Sequence, residues 1–179
     1  MNILKLLNNK KKILVIGELI LDKYVYGASD RISSEIPIPV FKSKSHNYKL
    51  GGAANVAKNI SNYGMGVAIL TILDQGVSFG LAMNLLKKNN IYTGHIISDP
   101  KYTTPIKTRY FDGLYQCFRN DHEKKYNIEE NIISKLMSNF RQNFKKYDYI
   151  VISDYNNGFL IKNFVEYVID TAYNNNIPV

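Results

Sequence analysis

Short apolar runs alternate with stretches of helical periodicity along most of the chain. Residues 13–17 (ILVIG), 67–73 and 149–153 (YIVIS) are near-continuous apolar runs of strand length, the pattern of strands buried on both faces of a parallel sheet. Residues 94–97 predict a further strand. Residues 54–63, with Ala53 just before them, place Ala53, Val56, Ala57 and Ile60 at helical spacing, and Gly64 follows as a stop. Residues 77–88 place Leu81, Leu85 and Leu86 on one side of a helix. Residues 128–146 do the same with Ile132, Ile133, Leu136, Met137, Phe140 and Phe144, and residues 160–173 form another amphipathic helix. Residues 176–179 read as the turn into another strand. This rhythm predicts βαβ units, an α/β fold with a mostly parallel sheet flanked by helices. Residues 24–41 and 104–119 break it: they lack helical spacing and carry β-branched and aromatic residues, so they predict extended excursions that pair into a small β flap.

Composition narrows the function classes. The chain has 179 residues, 45% hydrophobic and 21% charged, enough for one domain with a core. Its net charge is +8. Only Arg31, Arg109, Arg119 and Arg141 of the 23 basic residues are arginine, the better reader of phosphates and bases, and the lysines fall in scattered short runs. That reads as a solvated surface, with no nucleic-acid partner. Cys117 is alone, and the three histidines show no ligand spacing, so no metal site is expected. No run approaches a membrane span, and the first residues, MNILKLLNNKKK, have the wrong order and length for a signal peptide. The expected compartment is cytoplasmic.

Ligands of open α/β sheets bind beyond the carboxyl ends of the strands, and three segments qualify. Asp22 follows the first strand closely; it can accept hydrogen bonds from sugar hydroxyls or cap a turn. Gly51 and Gly52 allow close backbone approach, and the helix they open offers unpaired N–H groups, with Asn55 in its first turn. The other reading of that loop is a tight turn chosen for packing. Asp154, after residues 149–153, supports a loop or metal–phosphate region or forms an Asx turn with the asparagines behind it. In the flap, alternation puts Lys107 and Arg109 on one strand face, with Gln116 and Arg119 following. Two cations on one face suit a phosphate or protect a sheet edge.

The segments ILVIGELILDKYVYG (13–27), DRISSEIPIPV (30–40), LGGAANVAKNI (50–60), TPIKTRY (104–110) with Gln116, Arg119 and Asp121, and VISDYNNG (151–158) together resemble the ribokinase-like (PfkB) carbohydrate kinases. Their order and spacing are those of the family, over nearly the whole chain, and RISSE-x-PIPV points to the branch that acts on heptose 7-phosphate. The resemblance implies ATP-dependent phosphorylation of a sugar hydroxyl, for the heptose of the lipopolysaccharide core. It places Asp22, Gly51, Gly52 and Asn55 on sugar hydroxyls, Lys107 and Arg109 on the sugar's existing phosphate, and Gln116 and Arg119 in the same lid, which would also be a homodimer contact.

The sequence departs from the family at Glu18, where aspartate is usual, at Leu73, where a glycine precedes Asp74, and at Tyr115, where a glutamine is usual. The family's nucleotide loop, magnesium-linked residues and Gly-Ala-Gly-Asp catalytic base have no counterpart up to Val179. The expectation is therefore residues 1–179 as the N-terminal, sugar-binding part of a kinase domain. It would have no catalytic base of its own and would be inactive alone, with ATP and Mg2+ use resting on a C-terminal half that is either a separate chain or cut off by an interrupted reading frame. A non-catalytic sugar-phosphate binding module and a decayed gene product are the alternatives.

Overall fold

The computed structural model describes residues 11–179. The reading of the first ten residues as something other than a signal sequence lies outside them. The first sheet contains β1 (Lys12–Gly17), β4 (Gly66–Leu73), β5 (Ile91–Ser98) and β8 (Tyr149–Ser153) in the order β5-β4-β1-β8, every pair parallel. Among the described residues four helices cover it: α1 (Gly52–Asn62), α2 (Val77–Lys88), α3 (Glu130–Asn143) and α4 (Lys162–Tyr173).

Alternation along the central strands divides the core. Ile13 and Val15 of β1, with Val67 and Ile69 of β4, face Ala53, Ala54 and Ala57 of α1 and Ala82 and Leu86 of α2. Leu14 and Ile16, with Ala68, Leu70 and Ile72, face Leu136 and Phe140 of α3 and Phe164 and Val168 of α4. Both sides of β1 are buried, which explains its unbroken apolar run. Among the described residues no helix is long and apolar enough to cross a membrane.

The second sheet contains β2 (Leu19–Ile32), β3 (Pro39–Gly51), β6 (Ile106–Asp112) and β7 (Tyr115–His122) in the order β3-β2-β6-β7. It is mixed: β2 pairs antiparallel with β3 and parallel with β6, and β6 pairs antiparallel with β7. The flap is thus larger than the sequence pattern indicated. Leu19, Ile20 and Leu21 are buried where the two sheets meet, so their apolar run reads as part of the core and hides the start of β2.

Helix limits also differ: α1 begins at Gly52 and ends at Asn62, and α4 begins at Lys162. The helix expected over 128–146 begins at Glu130, because Ile128 packs against the core before it, and after Asn143 it tightens into a single 3₁₀ turn, Phe144–Lys146. Residues 176–179 form no strand, although the Pro178 carbonyl accepts the Ile150 N–H at 3.0 Å on the outer edge of β8.

Candidate functional site

The loop between β3 and α1 is shaped by what its glycines leave out. A Cβ on Gly51 would lie 2.5 Å from Asp22 Oδ2, so only glycine lets that carboxylate rest on the backbone. Gly52 sits at φ +55°, where side chains are strained, and a Cβ there would collide with the Glu18 carbonyl. That carbonyl accepts the Ala53 N–H at 2.9 Å. No side chain caps α1, and Asn55 stands exposed in its first turn. The helix end therefore offers N–H donors and an amide at the carboxyl end of the sheet.

Strand register delivers the remaining groups. Asp22 lies opposite Lys49 on β3 and Lys107 on β6, and Lys107 lies opposite Asp121 on β7. In the next row Tyr24 is beside Arg109, and Arg109 is opposite Arg119. A bulge leaves Cys117 without a partner: Tyr110 pairs Phe118, but Phe111 pairs Gln116. Gln116 and Arg119, three residues apart, therefore share a face with Lys107 and Arg109, which simple alternation would not allow.

One face of the flap thus carries Lys49, Lys107, Arg109 and Arg119 against three carboxylates. Arg109 Nη1 donates to Asp22 Oδ1 at 2.6 Å with both side chains about four-fifths buried, Lys107 reaches Glu123 at 3.7 Å, and Arg119 grips Asp121 through two bonds of 2.8 and 2.7 Å. Arg119's hydrogen bonds hold the Asp121 carboxyl below its usual range. Lys49 is exposed and lies 4.6 Å from the centre of the Tyr24 ring, which Arg109 also approaches, at 5.6 Å.

Asp22, Gly51, Gly52, Lys107 and Arg109 are brought together, with Asn55 beside them and Gln116 and Arg119 on the outermost strand of the same face. Lys107 and Arg109 are not bare cations, since each meets a carboxylate. Sequence reasoning missed Lys49 and Tyr24, whose place on this face is set by the register of β2 with β3 and β6.

The chain matches no family model. It is 34% identical to the bifunctional protein HldE of Aliarcobacter butzleri over 174 residues, which cover 97% of this chain and 37% of that protein. It is 37% identical to HldE of Helicobacter pylori strain P12 over 150 residues, 84% of this chain and 32% of that one. Among solved structures it matches the 2-dehydro-3-deoxygluconokinase of Thermotoga maritima with a TM-score of 0.69 and 15% identity, over 93% of this chain and 49% of that one. It matches the phosphofructokinase-2 of Escherichia coli, solved with fructose-6-phosphate, with a TM-score of 0.67 and 14% identity, over 92% and 52%. The chain has the ribokinase-like (PfkB) carbohydrate-kinase fold and is homologous to HldE. It spans about a third of the length of these curated relatives and about half of the solved kinases.

Two more loops shape the carboxyl end of this ribokinase-like sheet. Asp154 accepts the Asn156 N–H at 2.7 Å, the Asx turn that was one of its two readings, and its side chain is exposed. Asp74 accepts the Gly76 N–H at 2.7 Å, the Ser78 hydroxyl at 2.5 Å and the Thr104 N–H at 3.3 Å, joining the start of α2 to the segment that enters β6. Partial burial pushes its carboxyl up, but these donors outweigh it and hold it below the ordinary value. A depressed folded-state pKa stabilises the fold above the unfolded value and loses that contribution as pH falls through the folded one. Acid titration of wild-type stability is therefore expected to show a loss below about pH 4 that Asp74→Asn flattens, as read from urea midpoints at pH 3 and 6.

The fold family implies ATP and Mg2+. Among the described residues Gly51 and Gly52 are taken up by contacts with Asp22 and Glu18, the Gly76 N–H is spent on Asp74, and Gly158 lies against the Tyr126 carbonyl. These residues do not fit a nucleotide triphosphate.

Proposed function

We propose that this chain is the acceptor-sugar part of a PfkB-type carbohydrate kinase and that its ligand is a phosphorylated sugar, heptose 7-phosphate. Asp22, Asn55 and the Gly51–Gly52 backbone bind the sugar hydroxyls. Lys107 and Arg109, with Gln116 and Arg119, receive the existing phosphate. The observation that carries this reading is the largely buried Asp22 resting on Gly51 and paired to Arg109 within a face where cations outnumber carboxylates. An arginine held by one carboxylate keeps donors free for a phosphate. The similarity to HldE supports the heptose assignment and a role in supplying lipopolysaccharide core heptose. ATP, Mg2+ and the catalytic base belong to a C-terminal half, whose sheet would continue from the half-exposed edge of β8. The compartment is cytoplasmic.

A rise in unfolding temperature at millimolar heptose 7-phosphate supports the sugar site, and no shift counts against it. ATP turnover by the purified chain is expected at background. The reading of a non-catalytic sugar-phosphate binding module is favoured by one observation: the sugar-side groups converge, whereas the described residues fit no nucleotide.

The lid is also proposed as a homodimer contact. Tyr110 and Phe118 lie on the face opposite Arg109, Phe41 packs edge-on against Tyr110, and Ile32, Ile36 and Ile38 are exposed nearby. Sedimentation should show a dimer that Phe118→Glu converts to a monomer.

A further inference from the structure

We propose that Glu18 is a positioning residue that clamps the sugar loop and the 154–158 loop to each other at the carboxyl end of β1. It follows the last residue of the strand central to both layers of the core. Its main-chain carbonyl accepts the Ala53 N–H at 2.9 Å and so fixes the first turn of α1. Its carboxylate accepts the Tyr155 N–H through Oε2 at 3.0 Å and the Asn157 N–H through Oε1 at 3.3 Å. One residue therefore sets the separation between the loop that carries Gly52 and Asn55 and the loop that carries Asp154.

The chemistry is unusual for a purely structural group. Glu18 is fully buried, and no salt bridge reaches it among the described residues. A buried carboxylate without a cation is costly. Burial pushes its pKa up, the nearby Asp154 carboxylate adds to the rise, and the two loop amides and its own N–H oppose it. The Tyr102 phenol also feels its charge. With a raised folded-state pKa, the ionised form subtracts from stability as pH rises through that value. Stability alone would favour an uncharged side chain here. A carboxylate is required for geometry, because only it presents two acceptors at once to two N–H donors. Glutamine must turn its NH2 toward one of them.

The 154–158 loop has other supports. The Asx turn at Asp154 is local, and the Asn157 carbonyl accepts the Tyr126 N–H at 3.0 Å. Loss of the clamp should free the loop without unfolding it. The test compares wild type with Glu18→Gln and Glu18→Asp, the latter keeping the charge but shortening the reach. Amide exchange at Tyr155 and Asn157 is followed by NMR, with urea unfolding and calorimetry with heptose 7-phosphate on the same samples.

The expected result is exchange at least about tenfold faster at one or both amides, an unfolding midpoint for Glu18→Gln equal to or above wild type, and weaker sugar-phosphate binding. Wild-type protection in both variants would overturn the proposal. So would faster exchange that merely follows a global loss of stability in both. The functional significance rests on the proposed sugar site. If wild type binds no heptose 7-phosphate, that reading fails, and exchange against stability still decides the clamp.

Discussion

Asp22→Ala is expected to weaken heptose 7-phosphate binding by roughly 5–150-fold, the equivalent of about 1–3 kcal/mol for lost buried hydrogen bonds. The same substitution leaves Arg109 without its carboxylate. An unpaired, largely buried guanidinium attracts anions more strongly. Binding of inorganic phosphate should therefore hold or improve in Asp22→Ala while binding of the sugar phosphate falls. Arg109→Ala should do the reverse: Asp22 remains to accept sugar hydroxyls, but the preference for a phosphorylated ligand shrinks. Calorimetric titration of both variants with heptose 7-phosphate and with inorganic phosphate checks the crossed pattern. If Asp22→Ala loses both ligands equally, the division of labour between the two residues is wrong.

Phe140→Ala should cost about 3–5 kcal/mol, as removal of a core aromatic does when its cavity cannot collapse. Phe140 is fully buried on α3, stacks on Phe144 and meets Tyr167 of α4 edge-on. It is packed from both helices that cover one face of the parallel sheet, so neighbours cannot close the gap without shifting α3 or α4. Such a loss is a large fraction of the roughly 5–15 kcal/mol by which domains are stable. Equilibrium urea unfolding measures it, and a cost under 1 kcal/mol would show that α3 is loosely docked. The variant should leave the register of the flap, and hence the Asp22–Arg109 pair, untouched.

The layered sheet and its helices were legible because each carries its own signal. β1 and β8 are unbroken apolar runs, α2 spans the predicted residues 77–88, and α3 spaces its buried side chains at helical intervals. The loop at Gly51–Asn55 was legible from small residues before a helix. What escaped was non-local. The extent of β2 was hidden because its first residues are buried at the junction of the two sheets. The placing of Gln116 and Arg119 on one face depends on the bulge at Cys117, which no local spacing announces. The Asp22–Arg109 pair joins residues 87 apart in sequence, through parallel pairing of β2 with β6. Glu18 stood in the sequence only as a departure from the usual aspartate, and its burial and loop contacts give it a role. Asp74 likewise became an organiser once Ser78 and Thr104 were seen to converge on it.

The central claim is that this face selects a sugar already bearing a phosphate. Its most direct test is calorimetric titration of the wild-type chain with heptose 7-phosphate and, separately, with unphosphorylated heptose. The account predicts saturable one-site binding of the phosphate ester and affinity for the free sugar at least about tenfold lower, the cost of leaving a charge-assisted contact unmade. Equal affinity for the two sugars, or no binding of either at millimolar concentration, would contradict it.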